Sequence, residues 1–140
     1  MRNSLSKLIV CLFLPGIVWA QQKDVKFSQG NFSKNPNGFR LAIQKLGEGN
    51  QFIQNGEYAA ALSCFLVADS INPGNADLNA KIGVCYLNGV NKAKCLNYFR
   101  TAYQIKKSIS SRIDFFLARG YHLNSQWDSA TMFYQSALKS

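Results

Sequence analysis

The stretch from Gly49 to Pro73, GNQFIQNGEYAAALSCFLVADSINP, decides the fold. Gly49, Phe52, Gly56, Tyr58, Ala61, Phe65, Ala68 and Pro73 form a series of small and aromatic positions closed by a turn residue. Moving 34 residues on from several of them gives Gly83, Tyr86, Cys95, Phe99 and Ala102. A further 35 gives Ala118, Tyr121, Ala130, Tyr134 and Ala137. The one extra residue falls near Ser108–Ser111, between units, where a turn absorbs it. A spacing near 34 is the length of one pair of helices with its turns.

Packing explains the pattern. Gly49, Gly83 and Ala118 lie on the first helix of each pair, where a small side chain lets the second helix come close. Ala61, Cys95 and Ala130 are their counterparts on the second helix, and the aromatics fill the remaining space. Phe65, Phe99 and Tyr134 precede Ala68, Ala102 and Ala137 by three residues, on one helical face. The turns agree: Asn55-Gly56, Asn88-Gly89 and Asn124-Ser125 end first helices, and Asn72-Pro73-Gly74-Asn75 separates two pairs. The expected helices are 37–54, 58–71, 76–88, 92–106, 110–123 and 127–138. Residues 21–35 read as a polar, flexible lead-in, and Pro36 suits the first turn of a helix.

On these residues the chain resembles the tetratricopeptide repeat family over about 42–140. Unit one matches best, through Gly56-Glu57-Tyr58-Ala59-Ala60-Ala61 and Pro73. Unit two has Cys95 where the family has alanine, and unit three has Trp127 in place of the turn tyrosine. The resemblance implies an all-α, right-handed solenoid over 36–140, with units at about 42–75, 76–110 and 111–140. A narrower resemblance rests on Asp77 to Asn88 and Phe116 to Asn124. Both stretches look like the N-terminal repeat region of Bacteroidota outer-membrane proteins of the OmpA and β-propeller type. No propeller or OmpA-like segment precedes Ser140, so a short paralogue or truncated product is expected.

The first twenty residues are of another kind. Arg2 and Lys7 precede an uncharged apolar run, Leu8 to Trp19, and Val18-Trp19-Ala20 offers small residues for a signal peptidase. A run of twelve residues is short of the roughly 20 that span a hydrocarbon core. The expectation is a secretory signal peptide at 1–20, cut before Gln21, and a periplasmic or outer-membrane-associated product. Export disfavours nucleic acid as a partner. Without Arg2 and Lys7, 14 basic residues face 7 acidic ones, and Lys81 to Arg119 holds eight bases and one acid, Asp114. That excess fits either a solvated helix face or a surface for an acidic partner, anionic lipid or polyanionic glycan. Cys64, Cys85 and Cys95 remain after the cut, an odd number without C-x-x-C spacing. They read as small buried hydrophobes, with a Cys85–Cys95 bridge as the alternative.

The carboxylates Glu48, Glu57, Asp69, Asp77, Asp114 and Asp128 are scattered, and His122 is the one histidine. No set of nucleophile, base and stabiliser assembles, so neither an enzyme nor a cofactor or metal is expected. Stacked helix pairs curve into a concave groove instead. In the family's register the groove candidates are Asn50, Ile53, Val84, Leu87, Arg112, Phe115, Arg119 and His122. Leu46 stands where a carboxylate clamp would need lysine. Half apolar and half cationic, this set suits an extended peptide with an acidic group near unit three. Phe133, Tyr134, Ala137 and Leu138 are expected to form an exposed seam on the last helix, open to a homodimer or another protein's helix. The functional expectation is an envelope scaffold for a protein partner. The alternatives are a self-associating structural fragment and a binder of anionic lipid or glycan.

Overall fold

The computed structural model describes residues 22–139. The expected signal peptide and its cut before Gln21 lie outside the described residues. Six α-helices make up the described chain: α1 (Pro36–Gln54), α2 (Tyr58–Ile71), α3 (Ala76–Asn88), α4 (Cys95–Ile105), α5 (Ile113–Leu123) and α6 (Trp127–Ala137). The described residues contain no strand. The helices pack most closely in consecutive pairs, α1 with α2, α3 with α4 and α5 with α6, and more lightly across α2–α3 and α4–α5.

Local sequence sets the boundaries. Asn35 caps α1 by accepting the Gly38 N–H at 2.9 Å, and Pro36 occupies the first helical position, where no N–H is needed. Gly56, at φ 77, turns the chain from α1 into α2. The matching turn between α5 and α6 uses Ser125 at φ 56, a left-handed residue with a side chain. Two starts differ from expectation. Lys92–Lys94 form a separate 3-10 turn ahead of α4, and α5 begins at Ile113 instead of 110. At the second site, Ser110 Oγ accepts the Arg112 N–H at 3.1 Å and holds a turn there.

Two cores lie along the chain. The first joins Ala42 of α1 and Ala61, Phe65 and Ala68 of α2 to Leu78, Ile82 and Cys85 of α3. The second joins Leu87, Cys95, Leu96, Phe99 and Ala102 to Ile113 and Leu117 of α5. The first helix of the following pair closes each core. Phe65 and Phe99 are fully buried. Each lies against a glycine: a β-carbon at Gly49 would stand 2.5 Å from Phe65 Cε1, and one at Gly83 would stand 2.5 Å from Phe99 Cε1. Absence of a side chain at these two points lets the ring rest on the neighbouring backbone.

Residues 22–35, expected as a polar lead-in, make specific contacts with the first helix pair and the turn after it. Val25 donates its N–H to Gly74 O at 2.8 Å. Its carbonyl accepts from the side chains of Asn72 and Asn75 at 2.8 and 2.9 Å. Asp24 Oδ1 accepts the Ala76 N–H at the start of α3. Phe27 packs on the first core and stacks with Phe32, which stacks in turn with Phe39 of α1. The segment is pinned because the α2–α3 turn is buried and its polar groups need partners.

Candidate functional site

Several of the candidate residues lie on or beside α5. Arg112 precedes the helix, with its guanidinium 5.9 Å from the Phe115 ring centre and 5.1 Å from that of Phe116. Arg119 and His122 follow, both exposed, and His122 meets Trp127 edge-on at 5.0 Å. Steps of three, four and three residues keep Arg112, Phe115, Arg119 and His122 on one side of the helix.

The other groove candidates are less exposed. Leu87 is 4% exposed and belongs to the second core, which corrects its assignment to a groove. It ends α3, where Cys95, Leu96 and Leu117 are part of the same cluster. Ile53 is half-buried against the first core, and Val84 is half-buried against the second. Asn50 is half-buried on α1.

A cleft of about 430 Å3 opens between the start of α5 and the end of α6. Ser111, Arg112, Phe115, Tyr134, Ala137 and Leu138 line it. Tyr134 meets Phe115 edge-on at 6.2 Å, and Leu138 is 88% exposed. Phe133, expected on this seam, is not there. It stacks on Tyr121 at 5.3 Å, meets Tyr103 edge-on at 5.9 Å and packs on the second core. One residue is about 100° of helix, enough to turn Phe133 inward while Tyr134 stays at the cleft. Met132 and Trp127, 57% and 58% exposed, add apolar surface to α6 that periodicity did not single out.

The carboxylates carry local structure. Glu48 accepts from Lys45 at 2.6 Å and Gln44 at 2.8 Å, and the Cys64 thiol donates to it at 3.7 Å. The Lys45 hydrogen bond holds the Glu48 carboxyl below its usual range, and the same bond raises Lys45. Asp77 pairs with Lys81 at 2.8 Å, and Asp114 accepts from Ser136 at 2.5 Å. Asp69 leaves Oδ1 buried without a hydrogen bond among the described residues, and burial pushes its carboxyl up.

Cys64, Cys85 and Cys95 are buried free thiols, as their placement on apolar stripes led us to expect. Burial pushes Cys85 up to about 11, and Cys95 likewise to about 11, with the Arg119 charge acting weakly in the opposite sense. An alkylating reagent near neutral pH is therefore expected to label both only once denaturant opens the core. Between the unfolded thiol value, about 8.5, and the folded value the native state holds the extra protons, so stability falls as pH rises through that window. Labelling in native buffer as fast as in denaturant would contradict this account.

Among the described residues, no group of three or more His, Cys, Asp or Glu side chains is placed to hold a metal ion. No described helix is long and apolar enough to cross a membrane. Compared with known protein families, the chain matches no family model, and a search of curated proteins finds no match.

Proposed function

We propose that the chain is an exported tetratricopeptide-type scaffold whose three helix pairs hold a protein partner at the cell envelope. The observation that carries this reading is the recurrence of one packing device at the repeat spacing. Phe65 rests on Gly49, and 34 residues later Phe99 rests on Gly83. Helix pairs built on one plan and joined through nearest neighbours present side chains in register along a shared face, and such faces bind extended peptides. On α5 that face carries Arg119 and His122, with Arg112 and Phe115 one to two turns earlier. This set suits an acidic peptide with an aromatic or aliphatic anchor.

The test is capture of a partner from envelope extract by the wild-type protein, followed by titration of that partner against Arg119→Glu. Binding is expected to weaken about tenfold or more while helix content stays unchanged, because a reversed surface charge disturbs recognition far more than folding. Unchanged affinity would remove α5 from the binding face. If capture instead yields only lipid or glycan, lost on raising the salt, the basic surface is the functional element.

A further inference from the structure

Each helix pair has one turn between its two helices. Gly56, Val90 and Ser125 hold the same place in these turns, 34 and 35 residues apart. All three are exposed. A further helix pair follows each of the first two, and it covers neither of them. Asn124 Nδ2 donates to Ala93 O at 2.9 Å, so the third turn lies against the second. The turns therefore form an edge that stacking of the helix pairs leaves open.

The middle turn is built on a different plan. Gly56 and Ser125 are left-handed, at φ 77 and 56, and Val90 is not. A β-branched residue is strained in that region. Gly89 makes the bend instead: a β-carbon there would stand 2.9 Å from the carbonyl oxygen of Cys85. Beyond the bend Val90 is 96% exposed, an aliphatic side chain at the tip of a loop. Lys92 and Lys94 follow in the 3-10 turn, both exposed, and neither pairs with an acid among the described residues. Lys94 lies 5.8 Å over the Tyr86 ring. Between Asp77 and Asp114 the chain has seven basic residues and no acid. Leu123, in the place of the exposed Gln54 and Asn88, adds an exposed aliphatic residue beside the loop. Glu57 and Asp128 belong to the other two turns, so the cationic part of the edge is the loop of the middle pair.

A projecting aliphatic tip beside unpaired lysines needs a recess on a protein partner. It needs none on a bilayer, where the tip enters among the headgroups and the ammonium groups stay level with the phosphates. We propose that the α3–α4 loop docks the protein on an anionic lipid surface through Val90, Lys92 and Lys94. This goes beyond the peptide-binding face of α5 and uses none of its residues.

The experiment uses the full chain with vesicles of phosphatidylcholine, alone or mixed with phosphatidylglycerol. Amide hydrogen exchange is read peptide by peptide, which separates the loop from the apolar run at residues 8–19. Exchange over residues 89–94 is expected to slow with the anionic vesicles and not with the neutral ones, and to recover as salt is raised. Lys92→Gln with Lys94→Gln should raise the lipid concentration for half-protection at least about tenfold, since each lysine near an anionic surface is worth about fivefold. Val90→Asp should raise it as well, with the circular dichroism of the wild type, because the side chain touches little in the fold. Absence of protection over 89–94, equal protection by both kinds of vesicle, or loop substitutions without effect would each overturn the proposal. So would polyglutamate that protects the loop at the same concentration of negative charge, which would assign the loop to an acidic protein.

Discussion

Replacing Phe99 with alanine is expected to cost the protein about 3–5 kcal/mol, a large share of the roughly 5–15 kcal/mol that holds a domain folded. The ring is fully buried between α3, α4 and α5. One edge lies on the bare backbone of Gly83, and the ring stacks on Phe116 at 5.1 Å. Because Gly83 has no side chain to swing inward, the cavity stays open after truncation, and cavities that cannot collapse give the larger losses. Denaturant unfolding followed by circular dichroism measures the loss. The converse change, Gly83→Ala, drives a β-carbon into the ring and should also destabilise, by about 1–3 kcal/mol. In a Phe99→Leu background that penalty should shrink, since the atom it meets is gone. A double-mutant cycle without coupling would show that the contact between Gly83 and Phe99 is not what fixes the approach of these helices.

Asn75→Ala is expected to cost about 2 kcal/mol or more, although it removes only a small polar side chain. Asn75 is buried and works in two directions. Its Oδ1 accepts the Leu78 N–H at 2.9 Å and caps α3. Its Nδ2 donates to Val25 O at 2.9 Å and holds the N-terminal segment. Asn75→Ser separates the roles, because serine can cap a helix but cannot reach the carbonyl as an amide does. Hydrogen exchange at Val25, whose N–H bonds Gly74 O, should accelerate in both variants, while the stability loss should be smaller for serine. Unchanged exchange at Val25 would mean that the segment is held without Asn75.

The helices were legible because their breaks are written in residues with local meaning. Asn55-Gly56, Asn72-Pro73 and Asn124-Ser125 punctuate the chain where α1, α2 and α5 end. The pairing of Gly49 with Phe65 and of Gly83 with Phe99 was legible for a similar reason, since only a small residue tolerates a ring at that distance. The docked N-terminal segment was not legible. It rests on amide side chains reaching a carbonyl 47 and 50 residues away, and such bonds leave no periodicity. Leu87 was misplaced because a groove position read from register says which side a residue faces, not how far a neighbouring helix closes over it. Phe133 and Tyr134 differ by one step of the helix, finer than a pattern of aromatics resolves. Tyr134, Ala137 and Leu138 were legible as a seam and Arg112 and Phe115 as a separate surface, but that the two sets line one cleft depends on how α5 and α6 cross, which no spacing records.

The hold of Asn72 and Asn75 on Val25 also imposes an order on synthesis. Most of the packing among the described residues joins neighbouring helices, so α1 and α2 can meet soon after they leave the ribosome. Val25 emerges early, yet its carbonyl partner Asn75 follows 50 residues later. At about 5–20 residues per second that is a delay on the order of seconds. During it Phe27 and the backbone around Val25 lack their final seat, although the first helix pair is complete. The segment closes over the first helix pair only once the α2–α3 turn is made, and its docking reports that the chain has been built past Asn75.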